Sequence, residues 1–432
     1  MKLFIKKIVV TIITWEARLV LWRYRPKIIA VTGSVGKTST KDAIYSGFSG
    51  ERFVKKSEKS LNSEIGVPLT ILGCESGWNS IFKWLRNIFY GLSIVFLPNH
   101  YPKWLILEVG ADKPGDIKAL TKWLKPDIAV ITGIPDVPVH IEFFDSVEQV
   151  AEEKRALAEA LTSEGTLIVN GDDARAFQMR SDFRGVCVTY GFSGNNDFVA
   201  SHEEVFYENG KPAGMQFRLN YSGSSVPIVL KGTLGRSQTY ASLASAAVGV
   251  SAGLDLIKVA RGLSNGATPP GRMKIIPGLR DTTIIDDSYN ASPVAMHSAI
   301  EALKEIECKG RKIAVLGDML ELGKYSADAH KDAGEAVAAV ADVLITVGLR
   351  ARSIADSAMG AGMSEKSIFQ YEQNEAERAG EELEVNLKEG DVILIKGSQG
   401  IRMEKTVKAI MAEPIRAKEL LVRQEPEWLS RA

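Results

Sequence analysis

Short, continuous apolar runs recur along the chain, and segments of helical period separate them. Residues 28–31, 104–110, 128–132 and 166–170 read as buried strands. Residues 41–45, 116–124 and 146–161 read as helices between them. Uniformly apolar strands alternating with helices predict a parallel sheet covered on both faces. From residue 197 to 231 the pattern changes to short alternating segments. Turn signals at Asn209-Gly210 and Ser222-Gly223-Ser224 predict antiparallel hairpins there. An Ala-rich helix is expected over 238–252, and residues 52–63 read as a polar loop. Thr268-Pro-Pro-Gly-Arg272 is the best linker, and beyond it a second alternating series begins. Its strands are expected at 283–286, 313–317, 343–348 and 392–397, with helices over 293–305 and 327–340.

Two apolar segments stand outside this rhythm. Residues 1–22 are apolar but interrupted by Lys6, Lys7, Glu16 and Arg18. The uncharged run 8–15 is too short to span a bilayer, and without a small-residue cleavage site it does not read as a signal peptide. Two readings stay open: a helix packed on the protein, or an interfacial helix. Residues 78–97 place Ile81, Trp84, Leu85, Ile88, Phe89 and Leu92 at helical spacing, with Lys83, Arg86 and Asn87 opposite. Core packing is the plain reading of such a stripe. A membrane-facing or partner-facing patch shared by 1–22 and 78–97 is the alternative.

Composition narrows the class. Hydrophobic content of 45%, charged content of 25% and zero net charge describe a globular chain with no global pull toward nucleic acid. Cys74, Cys187 and Cys308 lie far apart, which fits a reducing compartment rather than a disulfide or zinc framework.

The chemistry concentrates after the first strand, in Thr32-Gly-Ser-Val-Gly-Lys-Thr38. Strand, glycine turn, Lys-Thr and helix is the order a phosphate cradle needs, because glycines let backbone N–H groups converge on an anion at a helix N-terminus. Lys37 would reach the terminal phosphates and the Thr38 hydroxyl a magnesium ion. The strict pattern G-x-x-x-x-G-K-S/T fails at Val31, so an ordinary glycine turn is the plain alternative. Glu108 closes an apolar strand, where a carboxylate beside such a loop suits magnesium. His140 alone is more often structural, and Lys154 reads by default as a solvated helix lysine. The second series lacks a G-x-G-x-x-G fingerprint, so no second dinucleotide site is expected.

Further motifs complete the pattern: Asn62-Ser-Glu-Ile-Gly-Val-Pro68, Glu108-Val-Gly-Ala-Asp-Lys-Pro-Gly-Asp-Ile117 and His140-Ile-Glu-Phe-Phe144, then Asp286-Asp-Ser-Tyr-Asn-Ala-Ser-Pro293, Leu316-Gly-Asp-Met-Leu-Glu-Leu-Gly323 and Lys396-Gly-Ser-Gln-Gly400. In this order, over residues 27–404, they resemble the Mur ligase family of ATP-dependent ligases of peptidoglycan precursors, and within it the branch that adds a D-Ala-D-Ala dipeptide. The resemblance implies an α/β fold: a P-loop-type central domain (27–268) with a mostly parallel sheet plus antiparallel hairpins, then a Rossmann-like C-terminal α/β domain (269–432). An N-terminal helix (1–26) and an aromatic insert (74–103) would flank them.

For function, the resemblance implies amide formation through an acyl phosphate, joining D-Ala-D-Ala to a UDP-MurNAc-tripeptide-like precursor. ATP would be held by Thr32, Gly33, Ser34, Val35, Gly36, Lys37, Thr38 and Ser39, with Arg272 and Asp287 reaching it from the C-terminal domain. Two magnesium ions would be held by Thr38, Glu108, His140 and Lys154, the last as a carbamate. Lys37, Lys154 and His140 would be catalytic, and Asn290, Lys396 and Ser398 would lie near the amino substrate. Partners would be nucleotide-sugar peptide and dipeptide substrates, with no nucleic acid. The location would be cytoplasmic, with peripheral membrane contact through 1–22 and 78–97 as an open addition.

Three departures mark this chain off from the family pattern. The phosphate loop begins so early that the family's N-terminal UDP-binding domain is expected to be missing. Ser237 and Ala241 stand where the family often has His and Asn, which changes the adenine contacts. Asp112 stands where this branch commonly has Asn or a similar residue. The rival readings are a Mur-type ligase for another carboxylate and amine, as in cyanophycin or polyglutamate synthesis, and a membrane-associated nucleotide-binding scaffold without ligase chemistry.

Overall fold

A computed structural model describes residues 3–58, 61–78, 80–138 and 140–430, with side chains described from residue 7 onward. The side chain of Lys6 in the N-terminal segment, Asn79 in the aromatic stretch, Lys59 and Ser60 in the expected polar loop, and Val139 beside His140 therefore carry no structural account, and neither do Met1, Lys2, Arg431 and Ala432.

The first sheet has nine strands: β1 (Lys27–Thr32), β2 (Val54–Lys56), β3 (Trp104–Glu108), β4 (Ile128–Ile131), β5 (Thr166–Asn170), β6 (Val186–Gly191), β7 (Phe198–Glu208), β8 (Lys211–Tyr221) and β9 (Ser224–Lys231). Their order is β2-β3-β1-β4-β5-β6-β7-β8-β9. Pairing is parallel from β2 to β7, then antiparallel through β8 and β9. The second sheet holds β10 (Lys274–Pro277), β11 (Thr283–Asp287), β12 (Lys312–Gly317), β13 (Val343–Val347), β14 (Ile368–Tyr371) and β15 (Val392–Lys396), in the order β10-β11-β15-β12-β13-β14. Only β10 runs antiparallel to its neighbour.

Helices α1 (Leu3–Tyr24), α2 (Lys37–Ser49), α3 (Gly66–Leu72), α4 (Ile81–Phe96), α5 (Asp116–Thr121), α6 (Val147–Glu159), α7 (Ala174–Asp182), α8 (Arg236–Ser251) and α9 (Leu256–Ser264) surround the first sheet. Helices α10 (Pro293–Glu305), α11 (Ser326–Ala338), α12 (Arg352–Gly360), α13 (Ala376–Asn386) and α14 (Glu404–Ile410) pack on the second. The apolar strands feed both faces by their period of two. Ile28 and Ala30 enter the core under α1, α3 and α6, while Ile29 and Val31 enter the one under α2, α8 and α9. In the second sheet Ala314 and Leu316 face one core, and Ile313 and Val315 the other.

Both hairpin turns place two consecutive residues at positive φ, Asn209 (52°) with Gly210 (75°) and Ser222 (47°) with Gly223 (80°). That is the primed turn that matches strand twist, as the turn residues predict. Two sequence expectations need correction. The segment 52–63 is not all loop, because β2 pairs with β3 at the sheet edge. Strands β6, β10 and β14 were not anticipated. Two of them, β10 and β14, are short edge strands with broken apolar patterns, and β6 is only half buried, so its register comes from β5.

The N-terminal segment is a helix packed on the protein: Val9, Ile13, Ala17 and Val20 are buried in the core shared with α3 and α4. Tyr24 stacks on Tyr101, and its hydroxyl donates to Ile94 O at 3.0 Å. No helix among the described residues is long and apolar enough to cross a membrane. Glu16 lies inside this layer, fully buried, with both carboxylate oxygens lacking a hydrogen-bond partner. Burial pushes its carboxyl up to about 7 from an ordinary 4.5. Between those values the folded state holds a proton that the unfolded chain has lost, so Glu16 lowers stability progressively as pH rises from 4.5 through 7. Glu16→Gln is therefore expected to melt close to the parent at pH 5 and several degrees above it at pH 8. A melting difference that does not change between those two pH values would count against this account.

Candidate active site

Strands β3, β1 and β4 are parallel neighbours, so their C-terminal ends share one edge of the sheet. The chain leaves β1 toward β3 on one side and reaches β4 on the other, which opens a crevice at that edge. The phosphate loop occupies it. Gly33 has φ 146°, and a Cβ there would lie 2.0 Å from Thr132 Oγ1. Gly36 has φ 80° and starts α2 with no side-chain cap, so the first N–H groups of the helix are left for a ligand. The loop is tied to the turn after β4: Ser34 N donates to Gly133 O at 2.7 Å, and Thr132 Oγ1 donates to Val35 O at 2.6 Å.

Lys37 Nζ donates to Gly33 O at 2.8 Å. Burial holds its amine below the usual lysine range, with Glu108 acting in the opposite direction. One pocket is lined by Gly33, Ser34, Lys37, Asn62, Asp112, His140 and Lys154, together with Gly110, Ala111, Phe144 and Val150. Lys154 is not the solvated helix lysine of the plain reading. It is buried on α6, and burial followed by the nearby Lys37 charge lowers its pKa to about 7. Its neighbour Glu153 is engaged elsewhere, accepting from Gly115 N at 2.7 Å and Ile117 N at 2.5 Å at the start of α5.

Glu108 is buried behind Asn62, whose Nδ2 donates to Oε1 at 3.0 Å, and Oε2 has no hydrogen-bond partner. A buried carboxylate oxygen with a free lone pair, close enough to Lys37 of the loop to act on its charge, fits a hard divalent ion such as magnesium. No group of three His, Cys, Asp or Glu among the described residues forms a metal cage. His140 lies on the wall of the same pocket. Its Nδ1 lies 2.6 Å from Glu321 Oε2 of the second sheet's domain, and its Nε2 lies 3.9 Å from Asp112. That hydrogen bond holds the Glu321 carboxyl below its ordinary range.

Arg272, the last residue of the linker, reaches back to the loop: Nη2 donates to Thr38 Oγ1 at 3.2 Å, and its guanidinium stacks over Tyr289 at 4.0 Å. Gln238 of α8 donates to both Ser39 Oγ and Arg272 O. Asp286 is buried, pushed up to about 6 by burial, and accepts from Gly271 N. Asp287 accepts from Lys396 Nζ at 2.5 Å and from Met273 N at 3.2 Å. Lys396 also donates to Asn290 O, and Ser398 Oγ accepts from Leu320 N. Asp287, Asn290, Lys396 and Ser398 thus form a second group at the strand ends of β11 and β15, outside the lining of the first pocket.

A family model described as "Mur ligase middle domain" matches residues 87–249, and one described as "Mur ligase, glutamate ligase domain" matches 271–399. The UDP-N-acetylmuramoyl-tripeptide–D-alanyl-D-alanine ligase of Bacillus subtilis is 30% identical over 404 residues, covering 92% of this chain and 79% of that protein. The chain belongs to the Mur ligase family. The Escherichia coli protein of the same name is 29% identical over 391 residues, covering 89% of this chain and 76% of that one. A solved structure of the MurF ligase from Thermotoga maritima in complex with ADP superposes with a TM-score of 0.75 at 27% identity, covering 93% of this chain and 83% of that chain.

Within this Mur ligase fold, sequence reasoning missed four residues that shape the site: Glu321, Gln238, Glu153 and Tyr289. Glu321 stood inside a quoted motif, but nothing local says that it meets His140. Both residues adopt left-handed backbone, at φ 63° and 66°, which is uncommon for side chains of this kind and marks functional turns.

Proposed function

We propose that this Mur ligase joins D-Ala-D-Ala to a UDP-MurNAc-tripeptide-like carboxylate at the expense of ATP. The observation that carries the reading is the single pocket shared by the phosphate loop, Lys37, His140 and Lys154. The unit 27–268 holds the nucleotide, and the unit 269–432 supplies Arg272 and the second polar group.

In the first half-reaction the substrate carboxylate attacks the γ-phosphorus of ATP. The new P–O bond replaces the bridging bond, and ADP leaves with an acyl phosphate remaining. The amine of the dipeptide then attacks the acyl carbon, phosphate departs, and the amine proton goes to solvent. No protein nucleophile is required, so the residues act by positioning and charge. Residues 32–39 cradle the phosphates with backbone N–H groups, and Lys37 leaves Gly33 O to neutralise the transferring group. Arg272 carries the state of the phosphate loop to the linker through Thr38, and Asp287 orders the same segment through Met273 N. Asn290, Lys396 and Ser398 line the approach of the amine.

Thr38, Glu108 and His140 would hold magnesium, with Lys154 as a carbamate for a second ion; the metal supplies charge neutralisation between phosphate oxygens. Carbamate formation at Lys154 bonds the neutral amine nitrogen to the carbon of CO₂ and releases a proton. A lysine buried on the pocket wall with a pKa near 7 supports that chemistry. The reading extends to peripheral contact with the cytoplasmic face of a membrane through residues 1–22 and 78–97.

Phosphate release from ATP tests the ligase. With UDP-MurNAc-tripeptide and D-Ala-D-Ala present, release is expected, and omission of either substrate should stop it. ATP binding without release in the complete mixture would exclude this substrate pair.

A further inference from the structure

The buried and exposed positions of the two apolar helices point to a more specific partner than membrane contact in general. Along α1 the buried positions Val9, Ile13, Glu16, Ala17 and Val20 face the core, while Ile8, Thr11, Trp15, Arg18 and Trp22 form an exposed stripe at helical spacing. Along α4, Trp84, Asn87, Gly91 and Ile94 are buried, and Phe82, Leu85, Phe89 and Phe96 are exposed. The exposure of these side chains is high: Trp22 72%, Phe82 84%, Phe89 69% and Phe96 68%. The helices contact one another, with Arg23 donating to Val95 O and Tyr24 to Ile94 O, and their buried stripes enter the same core. Both exposed stripes therefore point away from that core. Apolar exposure on this scale on two helices packed against each other marks an interaction surface.

Charge decides the occupant. Among the described side chains, the cations along these helices are Lys7, Arg18, Arg23, Lys83 and Arg86, all exposed. The only acid in either helix is Glu16, and it is buried. Lys83 is partnered by Glu427, so Arg18 and Arg86 are the cleaner probes of the charge. Aromatic side chains standing among cations, with no acid exposed on either helix itself, complement an anionic bilayer, in which Trp and Phe enter the headgroup boundary and Arg and Lys meet lipid phosphates. Neither helix is long and apolar enough to cross, so the mode is lying on the surface. We infer that α1 and α4 together form one monotopic face that docks this protein on a bilayer rich in anionic phospholipid. The inference rests on the peripheral-membrane part of the reading above and is independent of which substrates the ligase joins.

The test is flotation of the full chain with vesicles of phosphatidylcholine alone, or with one-third of that lipid replaced by phosphatidylglycerol. The protein is expected to float with the anionic vesicles, at least tenfold less with the neutral ones, and less at high salt. The double variant F82S/F89S should lose at least tenfold in vesicle binding, and R18E/R86E should lose the preference for anionic lipid. Both should keep the parent's ATP affinity and, in vesicle-free solution, its phosphate release, which separates a failed surface from a failed ligase reading. Absence of flotation with anionic vesicles would overturn the inference, and so would flotation that neither variant changes. Sedimentation showing a dimer that F82S/F89S dissociates, without lipid binding by the parent, would assign the face to a second copy of the chain instead.

Discussion

Lys37→Met is expected to reduce phosphate release by a factor of about 10³ or more, with the fold intact. The reasoning starts from the geometry of the loop. Gly33 and Gly36 adopt backbone that other residues rarely take, and Thr132 presses against Gly33, so the loop is rigid before any ligand arrives. Lys37 is the cation on that frame, held by Gly33 O at 2.8 Å and Ser34 O at 3.5 Å. A cation aimed at charge developing on the transferring phosphoryl group is worth several powers of ten in a site that excludes water, about 4 kcal/mol for a thousandfold effect. Methionine keeps the length and the packing of the stem and removes the charge alone. Steady-state turnover measured beside ATP binding by calorimetry separates the two effects. Turnover within tenfold of the parent would show that Lys37 is not the phosphate cation.

Lys154→Ala should be almost as damaging, with a loss of about 10²–10³ in turnover, because it removes the group that would carry the carbamate on the pocket wall. The parent protein should also depend on CO₂. Exhaustive degassing is expected to lower turnover, and bicarbonate to restore it. With the amine lowered to about 7, the neutral form dominates above that pH, so the carbamate should be favoured at pH 8 and lost progressively toward pH 6. A carbonyl signal from ¹³CO₂, absent in the alanine variant, reports the modification without any assay of turnover. No such signal in the active parent at pH 8 would reject the carbamate.

Much of the fold was legible from local pattern. The runs 28–31, 128–132 and 166–170 are strands because they are uniformly apolar, and the structure buries them between two helical layers. The stretch 81–96 is a helix whose buried face is rotated from the one the spacing predicts, since Asn87 is buried while Ile81, Leu85 and Phe89 face outward. Edge elements were the illegible part. Strand β14 exposes Phe369 and Gln370, and without the neighbouring β13 its sequence has no reason to be a strand.

For the site, the order of residues fixed what could be known in advance. The phosphate loop, its glycines and Lys-Thr depend on contacts within a few residues, so the linear pattern contains them. The motifs on both sides of the linker identify the Mur ligase family because each is a short local structure with its own chemistry. Everything that couples distant segments came from the tertiary structure. Arg272 meets Thr38 across 234 positions, and His140 meets Glu321, because the linker lays one sheet's strand ends against the other's. Lys154 looked solvated in its helix and proved to be buried, since burial depends on what packs over a helix and not on the helix itself. The apolar face of α1 and α4 was decided in the same way. Helical spacing shows that one stripe is apolar, and only packing shows that a second apolar stripe is left facing solvent.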